Sequence, residues 1–278
     1  MPEGPEVKSV AVSLDNKISK LYINDMLIDE LSRYYKNPSL INSLSYAKFP
    51  LHISKVYSKG KKILFECVDS DKVKVYLVSA LAMSGRWQYT KGKHSGIQMN
   101  LTSTKAGDVK YRLYFDDQRH FGSLVVAYED ELPKILKNVG PDLLSEKVTY
   151  EEYKTVISLP RLRSKQIGWF LLQQKYFSGV GNWIRAEILY ECKIAPNRKL
   201  EDLSEIDIKH LYHYSLKILK DAYSVKGLTI SNYIDPEGNY GTYKVKVYMQ
   251  KIDPYGHKVI TSVFSDKRTI HWVPDVQI

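Results

Sequence analysis

The stretch Gln174-Lys175-Tyr176-Phe177-Ser178-Gly179-Val180-Gly181-Asn182 decides how the second half of this 278-residue chain folds. Its glycines permit close backbone approach, and Asn182 is a residue type that caps helices. The segment reads as a turn between two short helices whose amides could hold a phosphate. A plain tight helix-to-helix turn fits the same residues equally well. Upstream, Ser164 precedes the apolar run Ile167 to Leu172, and Thr149 with Glu152 has capping-box spacing before Tyr153, Val156 and Ile157. Downstream, a helix is expected from Asn182 to Tyr190. Ser204 and Asp207 then open a longer one, on which Ile208, Leu211, Tyr212, Ser215, Leu216 and Leu219 share a face.

Ahead of this helical region the character is β. Ile63 to Val68, Val73 to Val78, Ile97 to Leu101, Tyr111 to Phe115 and Leu124 to Tyr128 are short β-rich runs separated by turn clusters. A helix precedes them, because Val7, Val10, Ala11, Leu14, Ile18 and Leu21 recur at helical spacing behind two prolines suited to a first turn. From Ile230 to Ile278 β signals return. Two runs, Thr242 to Gln250 and Lys258 to Phe264, flank the turn Asp253-Pro254-Tyr255-Gly256 and predict a small hairpin. The expectation is an α+β chain with a β-sandwich or barrel domain over 1–128, a linker over 129–145, a helical domain over 146–229 and a β-hairpin finger over 230–278.

The chemistry begins at Met1-Pro2-Glu3-Gly4-Pro5-Glu6. Removal of Met1 is expected beside the small Pro2, and leaves a secondary amine that titrates well below a lysine. Such an amine forms a Schiff base with an aldehyde, and two carboxylates stand beside it. A retained Met1 would make the Pro2 nitrogen a tertiary amide with no nucleophilic lone pair. The 41 Lys and Arg against 31 Asp and Glu give a formal charge of +10 and favour a polyanionic partner, nucleic acid first. No apolar run approaches the length of a spanning helix and no signal peptide precedes Pro2, so an intracellular, soluble protein without a membrane partner is expected. Cys67 and Cys192 support neither a disulfide framework nor a zinc site and read as reduced core thiols.

Taken in order, several stretches resemble the formamidopyrimidine-DNA glycosylase and endonuclease VIII family over essentially the whole chain. Met-Pro-Glu-Gly-Pro-Glu resembles the catalytic terminus, and Ser58-Lys59-Gly60-Lys61 the strand-entry motif with its catalytic lysine. Leu81-Ala82-Met83-Ser84-Gly85 resembles the loop holding an intercalating methionine, and Asp116-Asp117-Gln118-Arg119-His120-Phe121-Gly122 the loop that supplies two more inserted side chains. Gly179-Val180-Gly181-Asn182 resembles the signature of the helix-two-turn-helix element, whose asparagine binds backbone phosphate. The resemblance implies a bifunctional glycosylase and abasic-site lyase of base excision repair, with Pro2 as nucleophile, Glu3 transferring protons, Lys61 on phosphate and Glu6 orienting water or the helix terminus. Met83, Arg119 and Phe121 would fill the hole left by a rotated nucleotide; without the resemblance Met83 and Phe121 read as core residues.

Against the pattern, the family's finger normally needs four cysteines and none follows Cys192. Metal and other cofactors are therefore expected to be absent, and the His257–His271 and His210–His213 pairs lack the thiolates that would suggest zinc. Arg268-Thr269-Ile270-His271-Trp272 resembles the arginine-bearing tip of the zincless finger found in one endonuclease VIII-like branch, which implies oxidised pyrimidines and hydantoins as substrates, with guanine-derived formamidopyrimidines as the alternative, and Arg268 on phosphate or the lesion strand. The partners implied are damaged double-stranded DNA, with single-stranded DNA as a further candidate, bound by a monomer wherever DNA is repaired, in a nucleus or in cytoplasm. Two rivals stay open: a helix-two-turn-helix DNA-binding protein without catalysis, and a tautomerase-like enzyme with a proline base, although such chains are far shorter.

Overall fold

A computed structural model of the chain describes residues 1–228 and 234–278, so the first residues of the expected β return, from Ile230 to Tyr233, lie outside the described residues. Two compact units divide the chain. One holds Met1–Pro2, Glu6–Lys137 and Thr229–Gly241; the other holds Glu3–Pro5, Asn138–Leu228 and Thr242–Ile278.

In the first unit, α1 (Gly4–Ile18), which belongs to it from Glu6 onward, precedes β1 (Tyr22–Ile28), α2 (Pro38–Tyr46), β2 (Leu51–Lys59), β3 (Lys62–Val68), β4 (Lys74–Ala80), β5 (Gly85–Gln88), β6 (Ser95–Thr102), β7 (Val109–Asp117), β8 (Ser123–Tyr128) and α3 (Leu132–Leu136). The strands form one antiparallel sheet in the order β5-β7-β6-β1-β2-β3-β4-β8. β5 stands at one end of that order, yet its Trp87 ring lies 5.4 Å from Phe65 on β3, and its indole N–H donates to Ser79 Oγ on β4 at 3.1 Å. The sheet therefore folds over on itself into a β-sandwich, and Val7, Val10, Ala11, Leu14 and Ile18 of α1 join its core.

Three strands escape the sequence pattern for physical reasons. β1 carries Asn24 and Asp25 at a register shift, β2 mixes lysines and serines with its apolar positions, and β5 has only four residues. The expected linker over 129–145 includes α3. Residues 129–137 belong to the first unit, where Leu132, Ile135 and Leu136 of α3 cover Leu64, Tyr76 and Val78.

The second unit contains α4 (Tyr150–Ile157), α5 (Ile167–Leu171), α6 (Asn182–Glu191), α7 (Glu205–Ser224), β9 (Ile260–Val263) and β10 (Thr269–Trp272). Both capping boxes form, Thr149 with Glu152 and Ser204 with Asp207. Every residue from Trp183 to Tyr190 is buried, so α6 is the core of this unit.

The finger departs from expectation. Thr242 to Gln250 is not a strand: the amides of Lys246, Val247 and Tyr248 donate to the buried Glu187 carboxylate of α6 at 2.7, 3.0 and 2.9 Å, which takes them out of any ladder. The hairpin lies one segment later, with β9 paired antiparallel to β10. Asp253-Pro254-Tyr255-Gly256 does turn, but the turn is fastened by a buried carboxylate. Asp253 accepts from the amides of Tyr255 and His257 at 2.9 and 2.8 Å and from the Tyr190 hydroxyl at 2.8 Å, and its Oδ2 lies 2.9 Å from His257 Nδ1.

Burial alone would raise the Asp253 carboxyl, but the bonds from His257, Tyr190 and Tyr255 hold it down to about 2 from an ordinary value of 3.8. A depressed folded-state value means that the contribution to stability is complete above the unfolded value and is lost as pH falls from 3.8 towards about 2. Asp253→Asn should therefore flatten the urea-midpoint profile of the protein across that acid interval. A variant whose profile keeps the full parental slope there would show that the carboxylate does not fasten the turn.

Candidate active site and nucleic-acid interface

Pro2, Glu3 and Glu6 are all buried, with Glu6 in the first turn of α1, where a carboxylate suits the positive end of a helix. In the structure Met1 precedes Pro2, whose nitrogen is then an amide. Glu3 has the most defined surroundings: one carboxylate oxygen accepts from the Trp183 amide at 3.0 Å and the other from the Ile184 amide at 3.2 Å. These are first-turn amides of α6, a helix whose N-cap, Gly181, has no side chain to satisfy them. A residue at the start of the chain thus caps a helix that begins some 180 residues later, and the helix end favours its negative charge.

This contact explains both glycines of the turn. Gly179 has φ +103°, and its carbonyl accepts from the Gly4 amide at 2.8 Å, fixing the backbone next to Glu3. At Gly181 an added Cβ would lie 2.2 Å from Glu3 Cδ, so a side chain there and the Glu3 carboxylate exclude each other. Asn182, expected to cap α6, does not cap it. It is the first helical residue; its Nδ2 donates to the Thr269 carbonyl at 2.9 Å and its Oδ1 accepts from Arg185.

Arg185 was not anticipated. Its guanidinium is 1% exposed, pairs with Asp266 and donates to the Gly168 carbonyl at 3.2 Å. Burial pulls Arg185 below its ordinary value, and the Asp266 charge opposes that shift. Asp266 also accepts from the Arg268 amide at 3.1 Å, so the turn between β9 and β10 is tied to the start of α6. Arg268 is exposed and lines a groove of about 450 Å³ with Trp169, Gln174, Lys175 and Asp266.

In the first unit, Lys61 follows Gly60 in the two-residue turn between β2 and β3, where Gly60 has φ +58°. Lys62 is the half-buried neighbour, and burial holds its ammonium below the ordinary value. Met83, Arg119 and Phe121 are exposed, and Arg119 lies 5.1 Å from the Phe121 ring centre in a cation–π contact. The core packing that residue type alone suggested for Met83 and Phe121 is therefore not observed. Their loops meet at Asp117, a fully buried carboxylate that accepts from Ser84 Oγ, the Tyr34 hydroxyl at 2.8 Å, the Arg119 amide at 3.2 Å and the Gly122 amide at 2.7 Å. Burial would raise Asp117, but the donors, Ser84 foremost, outweigh it and hold the carboxyl below its ordinary value.

Among the described residues no group of three His, Cys, Asp or Glu stands close enough to hold a metal. The finger offers no thiolate, and its Asp253 and His257 are bonded to each other, so the residues present do not fit zinc.

Comparison with known proteins identifies the class to which the β-sandwich and the helical unit belong. Residues 1–124 match the formamidopyrimidine-DNA glycosylase N-terminal domain and residues 139–233 the formamidopyrimidine-DNA glycosylase H2TH domain. The chain belongs to the formamidopyrimidine-DNA glycosylase and endonuclease VIII family. A formamidopyrimidine-DNA glycosylase of Listeria monocytogenes is 27% identical over 288 aligned residues, covering 100% of both chains, and an endonuclease 8 of Escherichia coli is 25% identical, also over 100% of both. Among solved structures, the MutM (Fpg) protein of Thermus thermophilus superposes with a TM-score of 0.82 at 24% identity, over 99% of this chain and 98% of that one. Lactococcus lactis Fpg in complex with DNA containing an oxidised pyrimidine gives 0.81 at 24% identity, over 99% of each chain. Likeness at this level of identity speaks for the fold.

Gly181→Ala should destabilise the protein by about 1–3 kcal/mol, the usual cost of overpacking. In a Glu3→Ala background the same change should cost much less, because the overlapping carboxylate is gone. Urea unfolding of the four proteins measures the coupling; equal costs in both backgrounds would mean that Gly181 is not reserved for Glu3.

Proposed function

We propose that the protein is a bifunctional DNA glycosylase and abasic-site lyase of base excision repair, acting on oxidised bases through a Schiff base at Pro2. The observation that carries this reading is the Glu3 carboxylate held by the Trp183 and Ile184 amides, which fixes an acid–base group one residue from the nucleophile.

Once Met1 is removed, the Pro2 nitrogen attacks C1′ of the damaged nucleoside. The bond from C1′ to the base breaks, Glu3 supplies protons as the base departs and the sugar ring opens, and an imine joins Pro2 to C1′. The imine acidifies the C2′ proton. Its removal expels the 3′ phosphate, a second elimination expels the 5′ phosphate, and the product is a one-nucleotide gap. Lys61 binds phosphate and assists ring opening, and Glu6 orients water or the helix terminus. Met83, Arg119 and Phe121 occupy the vacated stack, where apolar wedges and a cation offset part of the unstacking cost. Asn182 and Arg268 contact the backbone, with the Gly181 turn supplying close approach.

The resemblance of the finger supports one substrate class. Without thiolates it resembles the zincless branch of endonuclease VIII-like enzymes, so oxidised pyrimidines such as thymine glycol, and guanine hydantoins, are the substrates. Met83, Arg119 and Phe121 do not separate this branch from the formamidopyrimidine branch.

Duplexes carrying thymine glycol, a hydantoin or 8-oxoguanine should be cut in the order of that preference, leaving phosphates on both sides of the gap. Excision confined to 8-oxoguanine would reassign the substrate, and intact strands with processed Pro2 would reject the enzyme. Lys61→Ala should slow single-turnover excision on the order of 100-fold while duplex binding changes little. Equal loss of both would make Lys61 a simple phosphate contact.

A further inference from the structure

Asp117 spends both carboxylate oxygens on loops. One accepts from Ser84 Oγ and the Arg119 amide, the other from the Tyr34 hydroxyl and the Gly122 amide. Ser84 Oγ, while donating to Asp117, also accepts from the Arg119 amide at 3.0 Å, so the two loops are bonded to each other as well as to the carboxylate. Ser84 directly follows Met83, and Arg119 and Gly122 bracket Phe121. The side chains themselves are exposed, Met83 by 39% and Phe121 by 54%, and the core gives them no fixed direction. The residues before them adopt left-handed backbone, Ala82 with φ 50° and His120 with φ 53°, and hydrogen bonding must maintain these sparsely populated conformations. Tyr34 is held in turn by ring contacts, 5.7 Å from Phe115 and 5.9 Å from His120.

From this geometry we infer that Asp117, acting through Ser84, is a positioning residue for nucleotide eversion: it fixes Met83, Arg119 and Phe121 as one rigid wedge before DNA arrives. The inference rests on the void-filling role proposed above. A preformed wedge needs no ordering when the base leaves the stack, whereas separate mobile loops would lose side-chain and backbone freedom at that step. Asparagine in the place of Asp117 keeps the shape but presents an amide N–H₂ to one pair of donors, so the bond from either the Arg119 or the Gly122 amide is lost.

The test compares two substrates under single-turnover conditions: a duplex with a paired thymine glycol, which must be everted, and a preformed abasic site in single-stranded DNA, which has no stack to fill. Ser84→Ala and Asp117→Asn should slow cutting of the first by 10- to 100-fold, on the order expected for a small misplacement, and leave the second within about 2-fold of the parent. Ser84→Thr, which keeps the hydroxyl, should restore the ratio of the two rates. Thermal melting identifies any variant that fails to fold, and Ser84→Ala, which removes a single hydroxyl, serves if Asp117→Asn does not. Equal slowing on both substrates, or no slowing on either in folded variants, overturns the inference. A parent protein that cuts neither substrate overturns the glycosylase reading instead.

Discussion

Two backbone amides pointing at one carboxylate organise this molecule. The start of α6 has N–H groups that no local side chain satisfies, and Glu3 satisfies two of them. An orphan donor in a buried helix end is costly, and so is an unpaired buried carboxylate; joined, each removes the other's penalty. The backbone had to make room for this, which accounts for the left-handed turn at Gly179 and the absent Cβ at Gly181. A turn that looks made for binding phosphate is therefore also the seat of the chain's own N-terminal acid.

The same logic recurs wherever the structure must hold irregular chain. Glu187 gathers three consecutive amides, Asp253 fastens the turn ahead of the hairpin, Asp117 joins two loops, and Asp266 pairs with a buried arginine while holding the Arg268 amide. In the C-terminal segment the buried Asp253 carboxylate takes its donors from the local backbone and from Tyr190 and His257. Such anchors have fixed geometry and no exchangeable part. The chain's excess of positive charge is left for a polyanion, while several of its acids work inside.

Local pattern made some of this legible and long-range contact hid the rest. Capping boxes at Thr149 and Ser204 depend on neighbours three residues apart, and both formed as read. The helical face of α1 and the long apolar strands were equally visible, because burial imposes their period. β1 was hidden by a register shift at Asn24 and Asp25, and β5 by its brevity. The run Thr242 to Gln250 has strand-like composition but spends its amides on Glu187, which lies about 60 residues away in sequence. Similarly, Asn182 looked like a cap because its competitor for those amides, Glu3, sits at the other end of the chain. Of the proposed site, Pro2, Glu3 and Lys61 come from residue chemistry joined to resemblance. The supporting acids Asp117 and Asp266 do not, since an aspartate in a polar loop carries no signal of what will donate to it.

The most direct test of this account is borohydride reduction of the protein, with Met1 processed, on a duplex carrying thymine glycol, followed by peptide mass mapping of the adduct. Borohydride fixes a transient imine as a stable bond at the nitrogen that formed it. The account predicts a single adduct on Pro2, abolished when Met1 is retained and much reduced in Glu3→Gln. An adduct on a lysine, or undiminished trapping with Met1 still in place, would contradict it.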